Sequence, residues 1–199
     1  MTSGKQKSPP AGQGSGLFCS GLMRTVLLAA ALSLVVPLGG GARARTARTP
    51  WLLFPLDVRS FDRVSSKFGT RKMNGRRAVH RGVDLVAPRG SLVVAAREGR
   101  VADIGRARAC GWYVTVEHEN SWRTVYCHLR SDPRRLGIAE GARVPAMGVV
   151  GEVGSTGHST GPHLHFTLLD DRGQARDPLL ALFTPAETLQ VLKRMGLAR

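Results

Sequence analysis

Trp112-Tyr113-Val114-Thr115-Val116-Glu117-His118 and Trp122-Arg123-Thr124-Val125-Tyr126-Cys127-His128-Leu129 stand on either side of the polar stretch Glu119-Asn120-Ser121. Two runs rich in β-branched and aromatic residues around a short polar turn predict an antiparallel hairpin. Outward from it, 92–96, 99–104, 148–153 and 163–169 are further short β-type runs, punctuated by Gly and Pro. Many short strands at close spacing predict a mostly β chain, an antiparallel β-sandwich or β-roll. Near the end, Pro185 opens a helix expected to reach Met195, with Gly196 as its stop. Leu189, Leu192 and Met195 share one face of it, which is expected to pack on the sheet.

The chain has 199 residues, enough for one domain with appendages. Its formal charge is +15, and +11 without the first 44 residues. Such a balance favours polyanionic partners. The cations are mostly scattered Arg, however, which a biased coding composition produces unaided. A nucleic-acid binder would interleave aromatics with a basic stripe. Aromatics are only 6% here, and the N-terminus reads as an export signal, so nucleic acid is not expected as a partner.

That signal is the apolar run 25–38, preceded by Arg24 and followed by Gly39-Gly40-Gly41-Ala42-Arg43-Ala44. The run is too short for a bilayer span of roughly 20 residues and contains Pro37. A positive charge, a short apolar core and an Ala-x-Ala site make a signal peptide, with cleavage expected after Ala44. An uncleaved anchor is the competing reading. Residues from Met23 onward already make a complete signal, so Met23 is a possible true start. The expected organisation is a signal peptide at 1–44, a linker at 45–57, a domain at 58–182 and a helical tail at 183–199. The expected location is outside the cytoplasm, in the periplasm, extracellular space or cell wall, with no stable membrane span after cleavage.

Cys19 precedes the apolar run and is badly placed for a lipoprotein site; Cys110 and Cys127 remain. An even pair in an exported chain is a disulfide candidate. In a hairpin turning at 119–121, Cys127 falls opposite Tyr113, three residues from Cys110. A bulge at Gly111 would bring Cys110 to the correct face.

Four of the six histidines sit where chemistry is expected. His163-Leu164-His165 lies in a strand, so both imidazoles share a face, with their Cα atoms about 6–7 Å apart, while Leu164 and Phe166 point into the core. His80 and Asp84 would be about 13 Å apart in an extended strand. Ligands of one zinc lie about 2 Å from it, so the chain must bend, as Gly82 permits. His80, Asp84 and one His of the pair form a two-His, one-carboxylate set with a fourth position open, the arrangement of a catalytic zinc. No His-Glu-x-x-His occurs: His118-Glu119 is followed by Trp122 and is read as a hairpin tip. His128 ends the hairpin's second strand; if it faces the cleft, strict alternation turns Cys127 away. Tyr113, Trp112 and Trp122 could line a groove or simply pack. His158, in the Gly-rich segment 154–161, is expected to be a solvated loop residue.

Taken together, these motifs resemble the lysostaphin-type, LytM-like zinc endopeptidases, family twenty-three of the metallopeptidases. The likeness covers roughly 58–182. It runs through Phe68-Gly69-Thr70-Arg71, His80-Arg81-Gly82-Val83-Asp84, Ala87-Pro88-Arg89-Gly90 and Tyr126-Cys127-His128-Leu129. Its most specific segment is Gly154-Ser155-Thr156-Gly157-His158-Ser159-Thr160-Gly161-Pro162-His163-Leu164-His165-Phe166, and Asp177-Pro178 closes it. The resemblance implies a β-roll of the duplicated hybrid motif type and one zinc ion per chain, held by His80, Asp84 and His165. It implies that His163 and His128 are the two non-ligand histidines, which activate water and stabilise the tetrahedral intermediate. The function implied is hydrolysis of peptide cross-links or bridges of bacterial peptidoglycan by a zinc-activated water, by a monomer. Some relatives have lost ligands and act only as wall-binding or amidase-activating modules; this chain keeps all five positions.

Overall fold

The computed structural model describes residues 51–73 and 75–198. The signal peptide expected at 1–44 and the first part of the expected linker lie outside them. The strands are β1 (Arg63–Ser66), β2 (Gly69–Met73), β3 (Arg76–His80), β4 (Val83–Val86), β5 (Leu92–Val94) and β6 (Gly99–Ala107). They continue with β7 (Gly111–Glu117), β8 (Arg123–Leu129), β9 (Arg143–Val144), β10 (Val149–Glu152), β11 (His163–Leu169) and β12 (Ala175–Arg176). Two helices close the chain, α1 (Pro178–Ala181) and α2 (Pro185–Arg194). The main sheet runs β1-β4-β11-β8-β7-β6-β9, with β12 on β11, and β10-β5 and β2-β3 form two-stranded sheets. Every pairing between these strands is antiparallel.

The hairpin forms where its composition predicts, as β7 and β8, with Val114 opposite Tyr126 and Val116 opposite Thr124. Its turn puts Asn120 and Ser121 at φ of 57° and 59°. Small polar side chains tolerate that left-handed conformation far better than β-branched ones. Strand β11 is central, pairing with β4 on one side and β8 on the other. Leu164, Phe166 and Leu168 are buried on its core face with Val83, Leu85, Val114, Val116 and Tyr126. His163 and His165 alternate onto the opposite face, as the period of two requires.

The described part of the expected linker packs on the domain. Leu52, Phe54 and Leu56 are buried in the core, and Leu52 bridges Leu182. Alternating apolar residues give this segment one face to bury, which outweighs the Pro residues around it. Helix α2 begins at Pro185 under a capping box made by Thr184 and Glu187. Its anchor is polar: Thr188 is fully buried, and its Oγ1 accepts the Phe54 N–H at 3.0 Å. Met195 stays 60% exposed, so the face through Leu189, Leu192 and Met195 is not buried along its length.

His118 stands at the hairpin's turn, just beyond the end of β7, and is buried. Its Nδ1 lies 2.8 Å from the Glu98 carbonyl and its Nε2 2.8 Å from Thr124 Oγ1. Thr124 bonds in turn to the Tyr126 hydroxyl, which accepts the Ala96 N–H. Burial pushes the Tyr126 hydroxyl up to about 12. Burial likewise lowers the His118 pKa, against the opposing pull of the Glu98 carbonyl. Unfolded, His118 takes a proton near pH ~6.5; folded, it resists. Below that pH the unfolded state binds more protons and stability falls, until the folded imidazole itself protonates. The expected slope is at most about 1.4 kcal/mol per pH unit from this residue. Denaturant midpoints between pH 7.5 and 5.5 should fall more steeply in the wild type than in His118→Gln. Parallel curves would show that His118 contributes nothing to the acid sensitivity.

Candidate metal centre

Between β3 and β4 the chain bends at Arg81-Gly82, and the bend lies against β11. A Cβ at Gly82 would sit 2.4 Å from the Phe166 carbonyl and 2.9 Å from His165 Cε1. Glycine is needed here for room as well as for bending. The bend leaves His80 at the end of β3 and puts Asp84 opposite His165 across the β4–β11 pair. His80 Nε2 lies 3.1 Å from Asp84 Oδ1, His165 Nδ1 lies 2.8 Å from the same oxygen, and the two nitrogens are 3.0 Å apart. Two ligands at about 2.0–2.1 Å from a tetrahedral metal are separated by about 3.3 Å. The triangle is slightly tighter than that, and its donor types are those zinc prefers, so these three residues fit one such cation.

Hydrogen bonds on the far side of each ring select which nitrogen faces inward. His80 Nδ1 is 2.8 Å from the Lys67 carbonyl, which leaves Nε2 for the cleft. His165 does the reverse: Nε2 is held 3.0 Å from Thr167 Oγ1, and Nδ1 faces Asp84. Such outer partners orient imidazoles and raise their basicity as ligands. Burial alone would raise the Asp84 pKa. Its hydrogen bonds to His165 and His80, and their charges, overcome this and hold the carboxyl well below the usual range. Arg71 Nη1 approaches the other oxygen at 3.4 Å and donates to Ser66 Oγ at 2.7 Å.

The remaining two histidines stand beside the triangle. His163 Nδ1 is anchored 2.8 Å from the Gly161 carbonyl, and its Nε2 lies 3.7 Å from Asp84 Oδ1. His128 Nδ1 is anchored 2.7 Å from the Thr156 carbonyl, and its ring centroid lies 4.7 Å from that of His163. Burial lowers the His128 pKa, the Thr156 carbonyl opposes this, and the neighbouring His163 and His165 lower it further.

Strict alternation fails at His128. Cys127 is the register partner of His165 and shares its face, so an unbroken strand would turn His128 to the core. Instead β8 carries an extra residue between Tyr126 (opposite Val114) and Leu129 (opposite Trp112), and His128 adopts a φ of 62°. The bulge therefore lies on β8 at Cys127-His128, not at Gly111, and both residues line the same cleft of about 580 Å³. Cys127 is bonded to Cys110 with Cα atoms 5.0 Å apart, and the Cys110 carbonyl accepts the His128 N–H at 2.7 Å. The predicted disulfide is present, and it borders the cleft rather than facing away.

His158 also lines the cleft and is exposed. Trp112, Tyr113 and Trp122 do not line it: Tyr113 bonds to Asp103, and Trp122 packs edge-on against Trp51. Sequence reasoning assigned no role to Arg71, Lys67, Thr156 or Thr167. Arg71 was within reach, as it stands in the Phe68-Gly69-Thr70-Arg71 motif; backbone carbonyls leave no such trace.

An antiparallel sheet that gathers two imidazoles and a carboxylate, with two free imidazoles alongside, has the makings of a metal-dependent hydrolase. Residues 78–178 match Peptidase family M23, and the chain belongs to that family. It is 40% identical over 128 residues to the peptidoglycan DD-endopeptidase ShyC of Vibrio cholerae serotype O1, covering 63% of this chain and 28% of that protein. A zinc-containing peptidase from Vibrio cholerae superposes with a TM-score of 0.56 at 30% identity, covering 62% of this chain and 37% of the other. The catalytic domain of lysostaphin from Staphylococcus simulans superposes with a TM-score of 0.51 at 27% identity, covering 59% and 89%. The chain thus spans less than a third of the length of the curated relative it matches.

Proposed function

We propose that this chain is an exported zinc endopeptidase that hydrolyses peptide bonds in peptidoglycan. The observation that carries the reading is the convergence of His80, Asp84 and His165, whose ligand atoms lie within 4.8 Å of one another. The names of its relatives, a peptidoglycan DD-endopeptidase and a zinc-containing peptidase among them, supply the substrate and the metal. Residues 1–44 act as the export signal, which delivers the chain to the compartment where peptidoglycan lies.

His80, Asp84 and His165 would hold the metal, which when bound would lower the pKa of water and polarise a carbonyl. His128 is the general base. Its Nδ1 is committed to the Thr156 carbonyl, burial disfavours the charged ring, and Nε2 is left to take the proton of the attacking water. The same nitrogen then returns that proton to the leaving amine. His163, its ring held by the Gly161 carbonyl, presents Nε2 to the developing oxyanion. The alternative of a non-catalytic wall-binding module leaves two oriented, non-ligand imidazoles without a task.

The test is digestion of purified peptidoglycans of different bridge types by the protein, with mass analysis of the fragments. Peptide-bond cleavage that a chelator abolishes and zinc restores is the expected result. Intact sacculi after digestion with the zinc-loaded protein would overturn the reading.

A further inference from the structure

From Arg63 to Val83 the chain carries Arg63, Lys67, Arg71, Lys72, Arg76, Arg77 and Arg81 and no Asp or Glu. The middle of this segment is the β2–β3 hairpin, a separate two-stranded ribbon that delivers His80 to the metal centre. Its register sets Lys72 directly opposite Arg77, so two like charges share one face of the ribbon. Like charges opposite one another destabilise a strand pair. Neither has an acidic partner among the described residues. Lys72 is exposed and borders the cleft. Among the described residues the only carboxylate lining that cleft is Asp84, already engaged by His80, His165 and Arg71. The ribbon therefore projects an uncompensated positive field beside the reacting groups, and cleft walls of one sign concentrate ligands of the other.

We propose that Lys72 and Arg77 form a specificity determinant that seats a free carboxylate of the peptide substrate, so that the cleft selects acidic peptides over neutral ones. This rests on the hydrolase reading for the identity of the site and goes beyond it by choosing among substrates. An acidic cross-linked stem, such as one containing diaminopimelate, fits; a neutral glycine bridge or an amidated stem does not. A carboxylate placed between the two cations relieves their repulsion, which the free protein carries in its cross-strand pair. Charge-assisted hydrogen bonds of this kind are the stronger ones, and one such contact corresponds to about tenfold in affinity.

The test uses two synthetic stem peptides that differ only in having a free carboxylate or a carboxamide beside the scissile bond. A second pair has that bond N-methylated so that it cannot be cut. Binding of the uncleavable pair is followed by calorimetry or NMR, and hydrolysis of the cleavable pair by mass analysis. The wild type should bind the free acid about tenfold more tightly than the amide at low salt, with the preference shrinking as salt rises. Lys72→Gln/Arg77→Gln should lose the preference, and Lys72→Glu/Arg77→Glu should invert it, with melting curves reporting that each variant is folded. Equal binding of acid and amide by the wild type would overturn the proposal, as would a preference that persists in the double Gln variant. Equal hydrolysis of the two peptides without discrimination leaves the hydrolase reading standing and removes carboxylate recognition. Discrimination in binding with no hydrolysis of either supports carboxylate recognition and removes the hydrolase reading.

Discussion

Asp84→Ala should empty the metal centre. Asp84 Oδ1 is the atom that both imidazoles of the triangle approach, at 3.1 Å from His80 and 2.8 Å from His165. Removing it leaves two imidazole nitrogens 3.0 Å apart with no anionic donor between them. It also leaves the Arg71 guanidinium facing the same space, which disfavours a divalent cation electrostatically. Zinc content should fall from about one per chain to a small fraction of that, since three protein donors are the usual minimum for a catalytic site. A bound metal contributes several kcal/mol of transition-state stabilisation, so activity should drop by at least ~10³-fold. Metal analysis and turbidity clearing on one preparation decide it. Full zinc occupancy in a folded Asp84→Ala protein would mean that the ligand set is wrong.

His128→Ala should separate catalysis from metal retention. His128 stands beside the triangle rather than within it, with its ring centroid 5.8 Å from that of His165. Near-stoichiometric zinc and an unchanged melting curve are expected, with hydrolysis reduced by about 10²–10⁴-fold, the usual contribution of a positioned acid–base group. His163→Ala should behave alike, through loss of an oxyanion donor. Clearing at near the wild-type rate by His128→Ala would remove it from the mechanism. Loss of zinc would make it a ligand and displace one of the three assigned.

Where the sequence was legible, one simple period carried the information. His163 and His165 flank Leu164 and precede Phe166, and a strand can satisfy that pattern only with imidazoles on one face and apolar side chains on the other. The His80–Asp84 spacing demanded a bend, and the Gly between them marked it. The 119–121 turn was legible because polar residues there separate two β-rich runs. What escaped notice broke the period. A positive φ at a histidine has no signature in composition, so the bulge that swings His128 beside His165 was invisible, and Cys127 was sent to the wrong face. Leu52, Phe54 and Leu56 alternate over too few residues to stand out from a connector, and isolated bridges from Leu52 to Leu182 and from Leu56 to Val93 tie the segment to the domain. Lys72 and Arg77 gain meaning only when the ribbon's register sets them opposite each other.

The pairing of β11 with β4 bears on the order in which the molecule acquires its reactivity. His80 and His165 are 85 positions apart, and Asp84 and His165 are 81 apart. The meander from β6 to β8 can form from neighbours in the chain, and the Cys110–Cys127 link spans only 17 positions. The contact that creates the cation site must instead close a long loop, which costs entropy before any native interaction offsets it, and non-local pairing of this sort is slow. An unfolded chain accordingly contains every residue of the candidate site and none of its geometry. The triangle arrives with one of the most distant strand pairings, so a partly folded molecule lacks it.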